Sequence, residues 1–214
     1  MPDELREPGP SGNPDAKADM RIAALVLAAG ASRRLGEPKQ LVQIEGESLL
    51  RRTTRIALEA GYAPVFAILG FAAERMRPEL DGLGIQVVVN SNWEEGMGSS
   101  LRCGLQAVMQ EQPTPDAVLV LVCDQVRLNR VHLRTLLQRH AEGNGAITAS
   151  TFAGRMGVPA VFGAEYFPEL LNLQGDRGAR ELIRAASEQV NAVEWPDGEL
   201  DLDHPEQLNR LPLH

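Results

Sequence analysis

The amino-acid sequence predicts an α/β protein of three layers, in which helices cover both faces of a mainly parallel sheet. Residues 21–29 form a continuous apolar run, which is typical of a strand buried on both faces. Further strand-like runs alternate with helical segments of about 10 to 15 residues, and this alternation implies right-handed crossovers between parallel strands. No internal repeat interrupts the pattern.

Local signals set the bounds of individual elements. Ser48 is a good N-cap and Gly61 a good stop for the helix between them, whose apolar residues recur with helical spacing. Asp176 is predicted to cap a later helix, and Pro205 lies near the first turn of the last helix. The predicted strands are residues 21–29, 63–70, 85–90, 116–124, 146–151, 158–162 and 190–195. The predicted helices are residues 48–61, 72–80, 98–112, 129–143, 164–171, 176–187 and 205–211.

Composition and charge exclude several classes of protein. Residues 1–19 are predicted to be a disordered tail, and residues 20–214 one domain. The formal net charge of −8 argues against a nucleic-acid binder. No apolar run resembles a signal peptide or approaches the roughly 20 residues that span a membrane. Two cysteines, Cys103 and Cys123, give no disulfide framework, so the sequence predicts a cytoplasmic protein without a membrane partner.

The segment after the first strand carries an unusual cluster of positive charge. Gly30 to Gly36 lacks the glycine spacing of a dinucleotide-binding fingerprint and of a P-loop. With these two motifs excluded, the segment is interpreted as a tight turn whose backbone amides can face an anion. Arg34 and Lys39 follow the turn as candidate phosphate ligands. An ordinary loop with solvated charges is the alternative interpretation. The residues of the turn that we expect to bind phosphate are Ala28, Ala29, Gly30, Ala31 and Ser32.

Lysine usage favours a specific role for Lys39. The chain has 21 lysines and arginines, but only Lys17 and Lys39 are lysines, and Lys17 lies in the predicted tail. A lysine binds phosphate as a compact point charge, whereas the planar fork of arginine needs a different geometry. Chance in an arginine-rich chain remains the alternative.

Two more features lie at the predicted carboxyl ends of strands, where open α/β sheets bind ligands. Asp124 ends the strand 116–124 and could hold Mg²⁺, or could simply be a turn residue. In residues 95–101, Gly96 and Gly98 permit close backbone approach, and Ser99 and Ser100 could open a helix.

Six segments, in order, resemble the molybdenum cofactor nucleotidyltransferases. LVLAAGASRRLGEPKQL (25–41) is similar to the signature L-x-A-A-G-x-S-x-R-M-G-x-x-K, and AAG rather than AGG resembles the cytidylyltransferase branch. The other five segments are NSNWEEGMGSSLRCGL (90–105), CDQ (123–125), GRMGVPAVF (154–162), LQGDRGAR (173–180) and DLDHPEQL (201–208). The resemblance covers about residues 21–210 and implies a Rossmann-like nucleotidyltransferase fold. Val126 and His204 depart from the family's proline and threonine.

The resemblance also implies roles for individual residues. It identifies Asp124 as a metal ligand and aligns Asp201 and Asp203 with a second metal-binding segment, Asp203 being favoured. Ser100, and secondarily Ser99, would recognise the base. The remaining expected site residues are Asn90 and Gly98 for the nucleotide, and Arg155, Gly157, Pro159, Gly175, Asp176, Arg177 and Arg180 for the acceptor substrate.

The resulting hypothesis is a Mg²⁺-dependent cytidylyltransferase that moves CMP from CTP to a phosphate acceptor such as molybdopterin and releases pyrophosphate. Arg34, Lys39 and Asp124 are its expected catalytic residues. A molybdoenzyme is a possible further partner. The alternatives are a GTP-using molybdopterin guanylyltransferase, a sugar-phosphate nucleotidyltransferase, and a non-catalytic protein that binds a nucleotide or delivers a cofactor. A nicotinamide oxidoreductase is disfavoured because its fingerprint is missing.

Overall fold

The structure, a computed structural model, describes residues 20–32, 36–143 and 146–199. A seven-stranded sheet runs through this part of the chain in the order β5-β4-β1-β6-β8-β7-β9. A separate two-stranded hairpin contains β2 and β3. The strands are β1 (Ile22–Ala28), β2 (Gln43–Ile44), β3 (Glu47–Ser48), β4 (Val65–Leu69), β5 (Gln86–Val89), β6 (Ala117–Val122), β7 (Ile147–Phe152), β8 (Arg155–Gly163) and β9 (Val190–Glu194).

The predicted, mainly parallel sheet is confirmed. β1 pairs in parallel with β4 on one side and with β6 on the other, so that Val26 lies opposite both Ala67 and Leu121. β4 and β5 are parallel, as are β7 and β9. Only β8 runs against its neighbours, β6 and β7. The carboxyl ends of β1, β4 and β6 therefore meet at one edge of the sheet.

Helices cover both faces, which confirms the three layers. They are α1 (Leu49–Ala60), α2 (Ala73–Met76), α3 (Met97–Val108), α4 (Arg130–Glu142), α5 (Phe167–Leu171) and α6 (Ala179–Ala185). Side chains of β1 alternate between two apolar clusters: Val26 packs with residues of α1 and α4, whereas Leu25 packs with residues of α3, α5 and α6. Burial of both faces explains why the strand reads as continuously apolar.

The predicted caps of α1 are confirmed. Ser48 accepts a hydrogen bond from the backbone N–H of Arg51, and Gly61 ends the helix with φ of 100°. The β2–β3 hairpin before α1 was not predicted. Its two-residue turn, Glu45 and Gly46, has positive φ at both positions, as a type I′ hairpin turn requires.

Other predicted bounds were wrong. Helix α6 begins at Ala179 with Gly178 as its N-cap, so Asp176 does not cap it. β8 begins at Arg155 rather than residue 158, because pairing with β7 extends along the hairpin that joins them. The predicted helix at residues 205–211 lies outside the described residues. Within the described ranges, no helix combines the length and the apolar character needed to cross a membrane.

Candidate active site

A cleft of about 500 Å³ opens at the carboxyl ends of β1 and β6. It brings together segments that are far apart in the sequence: the turn after β1, the start of α3, the end of β6 and the loop before α6. Among the predicted site residues, those that line it are Ala29, Gly30, Ala31, Ser32, Lys39, Ser100, Asp124 and Asp176. Ala28 is buried at the end of β1 just behind the turn.

The turn is held in shape from behind by the short 3-10 helix at Lys39–Leu41. The amide Nε2 of Gln40 donates to the carbonyl oxygens of Ala28, at 3.1 Å, and Gly30, at 2.9 Å. The backbone N–H of Lys39 donates to Ser32 Oγ at 3.1 Å. Gln40 is only 2% exposed, and its amide holds the carbonyl groups of the turn in place. Sequence reasoning took Gln40 only as part of a basic loop and missed this structural role. Arg34 lies outside the described residues.

Lys39 and Asp124 form an ion pair in the cleft through Nζ and Oδ2. The second oxygen of Asp124, Oδ1, is buried and accepts no hydrogen bond from any described residue. A buried carboxylate oxygen without a donor is costly unless a ligand compensates it. Hard oxygen donors of this kind suit Mg²⁺ and Mn²⁺, which need only one or two protein carboxylates beside substrate oxygens and water. Asp124 therefore fits a divalent-metal ligand.

No cluster of three or more metal-ligating side chains exists among residues 20–32, 36–143 and 146–199. Asp201 and Asp203, predicted as further metal ligands, lie outside these ranges. Glu94 and Asp176 are two further carboxylates that line the same cleft as Asp124.

Asn90, Ser99 and Ser100 form a buried polar group beside the cleft. The side-chain amide of Asn90 donates to Ser99 Oγ at 2.9 Å and to Ser100 Oγ at 3.0 Å. The hydroxyl of Ser99 is within donating distance of the carbonyl oxygens of Asn92 and Gly96. Only Ser100 lines the cleft. Asn90 and Ser99 thus hold the segment that presents Ser100.

The N-cap of α3 is Gly96, not a serine. Gly96 has φ of 105°, and a Cβ there would lie 2.5 Å from the carbonyl carbon of Gly175. The backbone N–H of Gly98 donates to Gly175 O at 2.9 Å. The loop 173–178 therefore packs directly on the first turn of α3. Gly96 and Gly98 make this approach possible, because a side chain at either position would crowd the loop.

A second cleft of about 560 Å³ adjoins the first on the predicted acceptor side. Arg155, Arg180 and Arg184 line it, and Asp176 lines both clefts. Arg184 was not predicted. Among the other predicted acceptor residues, Gly157 and Pro159 are buried in β8. Gly175 and Arg177 are exposed, and none of these four residues lines either cleft.

Hydrogen bonds connect β8 to the turn after β6 and to β7. Gln125, next to Asp124, donates through Nε2 to Val158 O at 2.8 Å. Ser150 Oγ donates to Pro159 O at 2.7 Å, and His132 Nε2 lies 2.7 Å from the same hydroxyl. These contacts give Val158 and Pro159 a structural role that spacing alone could not reveal.

Cys123 is not a candidate nucleophile. Its side chain is 2% exposed, and burial, reinforced by the negative charge of Asp124, raises the pKa of the thiol far above its usual range. A thiol held neutral in this way is a poor nucleophile. This agrees with its interpretation as a small buried residue.

The fold thus places a tight turn, a lysine and a carboxylate oxygen that no described residue contacts at the carboxyl edge of its sheet, where open α/β sheets bind ligands. Residues 24–191 match the MobA-like NTP transferase domain, and the chain belongs to this family. The resemblance to nucleotidyltransferases of molybdenum cofactor metabolism is thereby confirmed at the level of the family, and the protein is a nucleotidyltransferase by family.

Curated relatives carry different names. Nicotine blue oxidoreductase of Paenarthrobacter nicotinovorans is 31% identical over 202 residues, 89% of this chain and 96% of that protein. Purine catabolism protein PucB of Bacillus subtilis is 29% identical over 205 residues, 89% of this chain and 95% of that protein. A protein of Opitutus terrae named "Probable molybdenum cofactor guanylyltransferase" is 30% identical over 128 residues, 59% of each chain.

Among solved structures, the manganese complex of Rv0371C from Mycobacterium tuberculosis superposes with a TM-score of 0.73. It is 28% identical, and the match covers 90% of this chain and 98% of that one. The relative is thus similar in fold over nearly its whole length and is a metal complex.

Proposed function

We propose that this protein is a CTP-dependent cytidylyltransferase that transfers CMP to a phosphate monoester of the molybdopterin type, with Mg²⁺ as its metal. The observation that carries the proposal is the cleft in which the anion-facing turn Ala29–Ser32, Lys39 and Asp124 lie together. A protein that only binds a nucleotide does not need a carboxylate with an oxygen available to a metal ion. The unsatisfied Oδ1 of Asp124 therefore favours catalysis over the role of a delivery protein.

The proposed reaction is an in-line substitution at the α-phosphorus of CTP. An oxygen of the acceptor phosphate forms the new P–O bond, while the bond from the α-phosphorus to the bridging oxygen breaks and pyrophosphate leaves with the electron pair. The acceptor is already an anion near neutral pH, so no strong general base is required. Bringing two anions together and stabilising the departing pyrophosphate are the main tasks of the protein.

Residues of the cleft suit these tasks. The backbone amides of the turn would bind phosphate oxygens, and Lys39, with Arg34, would hold the β- and γ-phosphates through the transition state. Asp124 would hold the Mg²⁺, with Asp203 or Asp201 as a second carboxylate, and the bound metal supplies charge neutralisation at the α-phosphate. Ser100, oriented by Asn90, is the proposed polar contact to the base.

The acceptor phosphate is proposed to enter through the adjoining cleft. The three guanidinium groups of Arg155, Arg180 and Arg184 outnumber the two carboxylates of that cleft, Asp176 and Glu181, in a protein of net charge −8. A local positive cluster of this kind attracts an anionic substrate even in an acidic protein. Asp176, which lines both clefts, marks where the two substrates would meet.

Three alternatives to the proposed function need to be tested. GTP could replace CTP, because the guanylyltransferase relative of Opitutus terrae matches 59% of the chain. A sugar phosphate could replace molybdopterin. An oxidoreductase activity is a second candidate of another class, favoured by the 31% identity to nicotine blue oxidoreductase over 96% of that protein.

Thermal unfolding with Mg²⁺ and each of CTP, GTP, ATP, UTP, NADH and NADPH tests the nucleotide and the oxidoreductase alternatives. A ligand that binds only the folded state stabilises it by about 2.7 kcal/mol at 100 times its dissociation constant, which is readily measured. A shift with CTP alone supports the proposal, and pyrophosphate release with molybdopterin then tests the acceptor. A shift confined to GTP makes the protein a guanylyltransferase, and one confined to NADH or NADPH overturns the proposal.

A further inference from the structure

The two tryptophans of the chain have opposite environments. Trp195 is 2% exposed, with its ring stacked on His132 at 4.8 Å and edge-on to Phe152 at 5.8 Å. Trp93 is partly exposed and lines the first cleft beside the turn Ala29–Ser32. In a chain with only 4% aromatic residues, an indole left partly exposed in a cleft of this size suits a ligand with a flat apolar surface.

Neighbouring aromatic and backbone contacts fix the position of Trp93. The ring of Phe71 contacts it edge-on, with 5.5 Å between centroids and 63° between planes. The backbone N–H of Phe71 in turn donates to Ala29 O at 3.0 Å. Phe71 therefore links the indole to the turn.

Gly70 provides the space for this arrangement. A Cβ at position 70 would lie 2.6 Å from Trp93 Cβ and 2.7 Å from Ala29 Cβ. The φ of Gly70 is not positive, so close packing, rather than an unusual backbone conformation, requires glycine here. The end of β4 thus brings Trp93 and the turn side by side.

We infer that the base of the nucleotide stacks on the indole ring of Trp93. Phe71 packs against this ring, and Gly70 leaves the space that it occupies. The inference rests on the proposed function, since it takes the cleft to hold a nucleoside triphosphate. Stacking accepts every base because every base has a π-face, so Trp93 supplies affinity and leaves the choice of base to polar groups. Replacing such a stacking residue with alanine typically weakens binding by roughly 5- to 150-fold.

The test compares Trp93→Ala and Trp93→Phe with the wild type. Dissociation constants are measured by calorimetry for Mg²⁺-CTP and for Mg²⁺-tripolyphosphate, a probe that has the phosphates but no base. Trp93→Ala is expected to bind CTP at least 10-fold more weakly. Trp93→Phe, which keeps a flat ring, should stay within about threefold, and tripolyphosphate binding should be unchanged in both variants. Met109→Ala is the matched control, because Met109 is 44% exposed and lines neither cleft.

Intrinsic fluorescence supplies a second readout. CTP should quench the emission of the wild type, and the quenching should vanish in Trp93→Phe, where buried Trp195 alone reports an intact fold. Equal CTP affinity in wild type and Trp93→Ala, or equal losses of CTP and tripolyphosphate, would overturn the inference while the proposed function stands. A wild type that binds tripolyphosphate and no nucleotide would overturn both.

Discussion

Lys39 and Asp124, 85 positions apart in the sequence, form an ion pair at the carboxyl edge of the sheet. The pair joins the loop after β1 to the end of β6 and leaves Asp124 Oδ1 without a donor among the described residues. In the proposed reaction, the ion pair separates when the substrate binds: Lys39 then contacts the triphosphate, and Asp124 contacts the metal ion. The ion pair would then keep two opposite charges in place until the substrate arrives.

Replacement of Lys39 should impair catalysis more than folding. Lys39→Ala is expected to lower kcat by about 10²-fold, because a charge-stabilising group at the leaving pyrophosphate is lost. The measurement is pyrophosphate release from CTP with molybdopterin as acceptor. Arg75→Ala, which removes an exposed cation of α2, is the control. A kcat near that of the wild type would exclude Lys39 from the transition state.

Asp124→Asn should abolish the response to metal while keeping the shape of the side chain. In the wild type, Mg²⁺ or Mn²⁺ should increase the thermal shift produced by CTP, and in the variant the metal should add nothing. Asp81→Asn is the control, since Asp81 lines neither cleft. An undiminished metal response in Asp124→Asn would place the metal on other residues.

Gly96→Ala should destabilise the fold through crowding as well as backbone strain. The strain at φ of 105° costs about 1–3 kcal/mol, and the collision with Gly175 adds a similar amount. Gly82→Ala is the control without crowding, because Gly82 also has a positive φ, 78°, and no atom lies within 4 Å of the position that a Cβ would take there. Urea unfolding should therefore show a clearly larger loss for Gly96→Ala, and equal losses would contradict the packing of loop 173–178 on α3.

Two buried histidines should make stability fall in mild acid. Burial lowers the pKa of His132 and His140 to about 4, whereas an unfolded chain binds these protons at an ordinary pKa of about 6.5. Between those values, the unfolded state binds more protons, so the free energy of unfolding decreases as pH falls from 6.5 towards 4.

His140→Leu should remove at most one proton from the difference in proton binding between the unfolded and folded states. The slope of the unfolding free energy against pH should therefore fall by at most roughly 1.4 kcal/mol per pH unit. The readout is the slope of unfolding free energy against pH between 6.5 and 5. The slope is unaffected by any constant loss from the unpaired hydroxyl of Thr148, the present partner of His140. An unchanged slope would mean that His140 titrates alike in both states.

The sequence was informative where the signal is local. The apolar run of β1 and the caps Ser48 and Gly61 follow from near neighbours, and the structure has them as predicted. Asp124 was predicted to end a strand, whereas β6 ends at Val122, two residues earlier. The N-cap of α6 was misassigned because Asp176 has the right residue type, yet it lies in a loop that packs on α3 and lines both clefts.

Sequence reasoning missed residues whose importance depends on distant contacts. Gln40 and Trp93 lie within or beside quoted motifs, but neither has a local pattern that indicates its role. Gln40 becomes significant when its amide meets the carbonyl groups of the turn after β1. Trp93 becomes significant when Gly70 admits it next to Ala29.

The sequence by itself determined the α/β class, the order along the chain of the helices and of the strands in the seven-stranded sheet, and the residue types available at its carboxyl edge. Hydrophobic period, capping and turn preferences act over a few neighbouring residues, so these features can be predicted without the tertiary structure. Only the tertiary structure decided which of those residues share a cleft. It pairs Lys39 with Asp124, sets Asn90 and Ser99 behind Ser100, and brings Asp176 between two clefts. These relationships depend on how strands separated in the sequence align in one sheet, and close packing selects that alignment for the molecule as a whole.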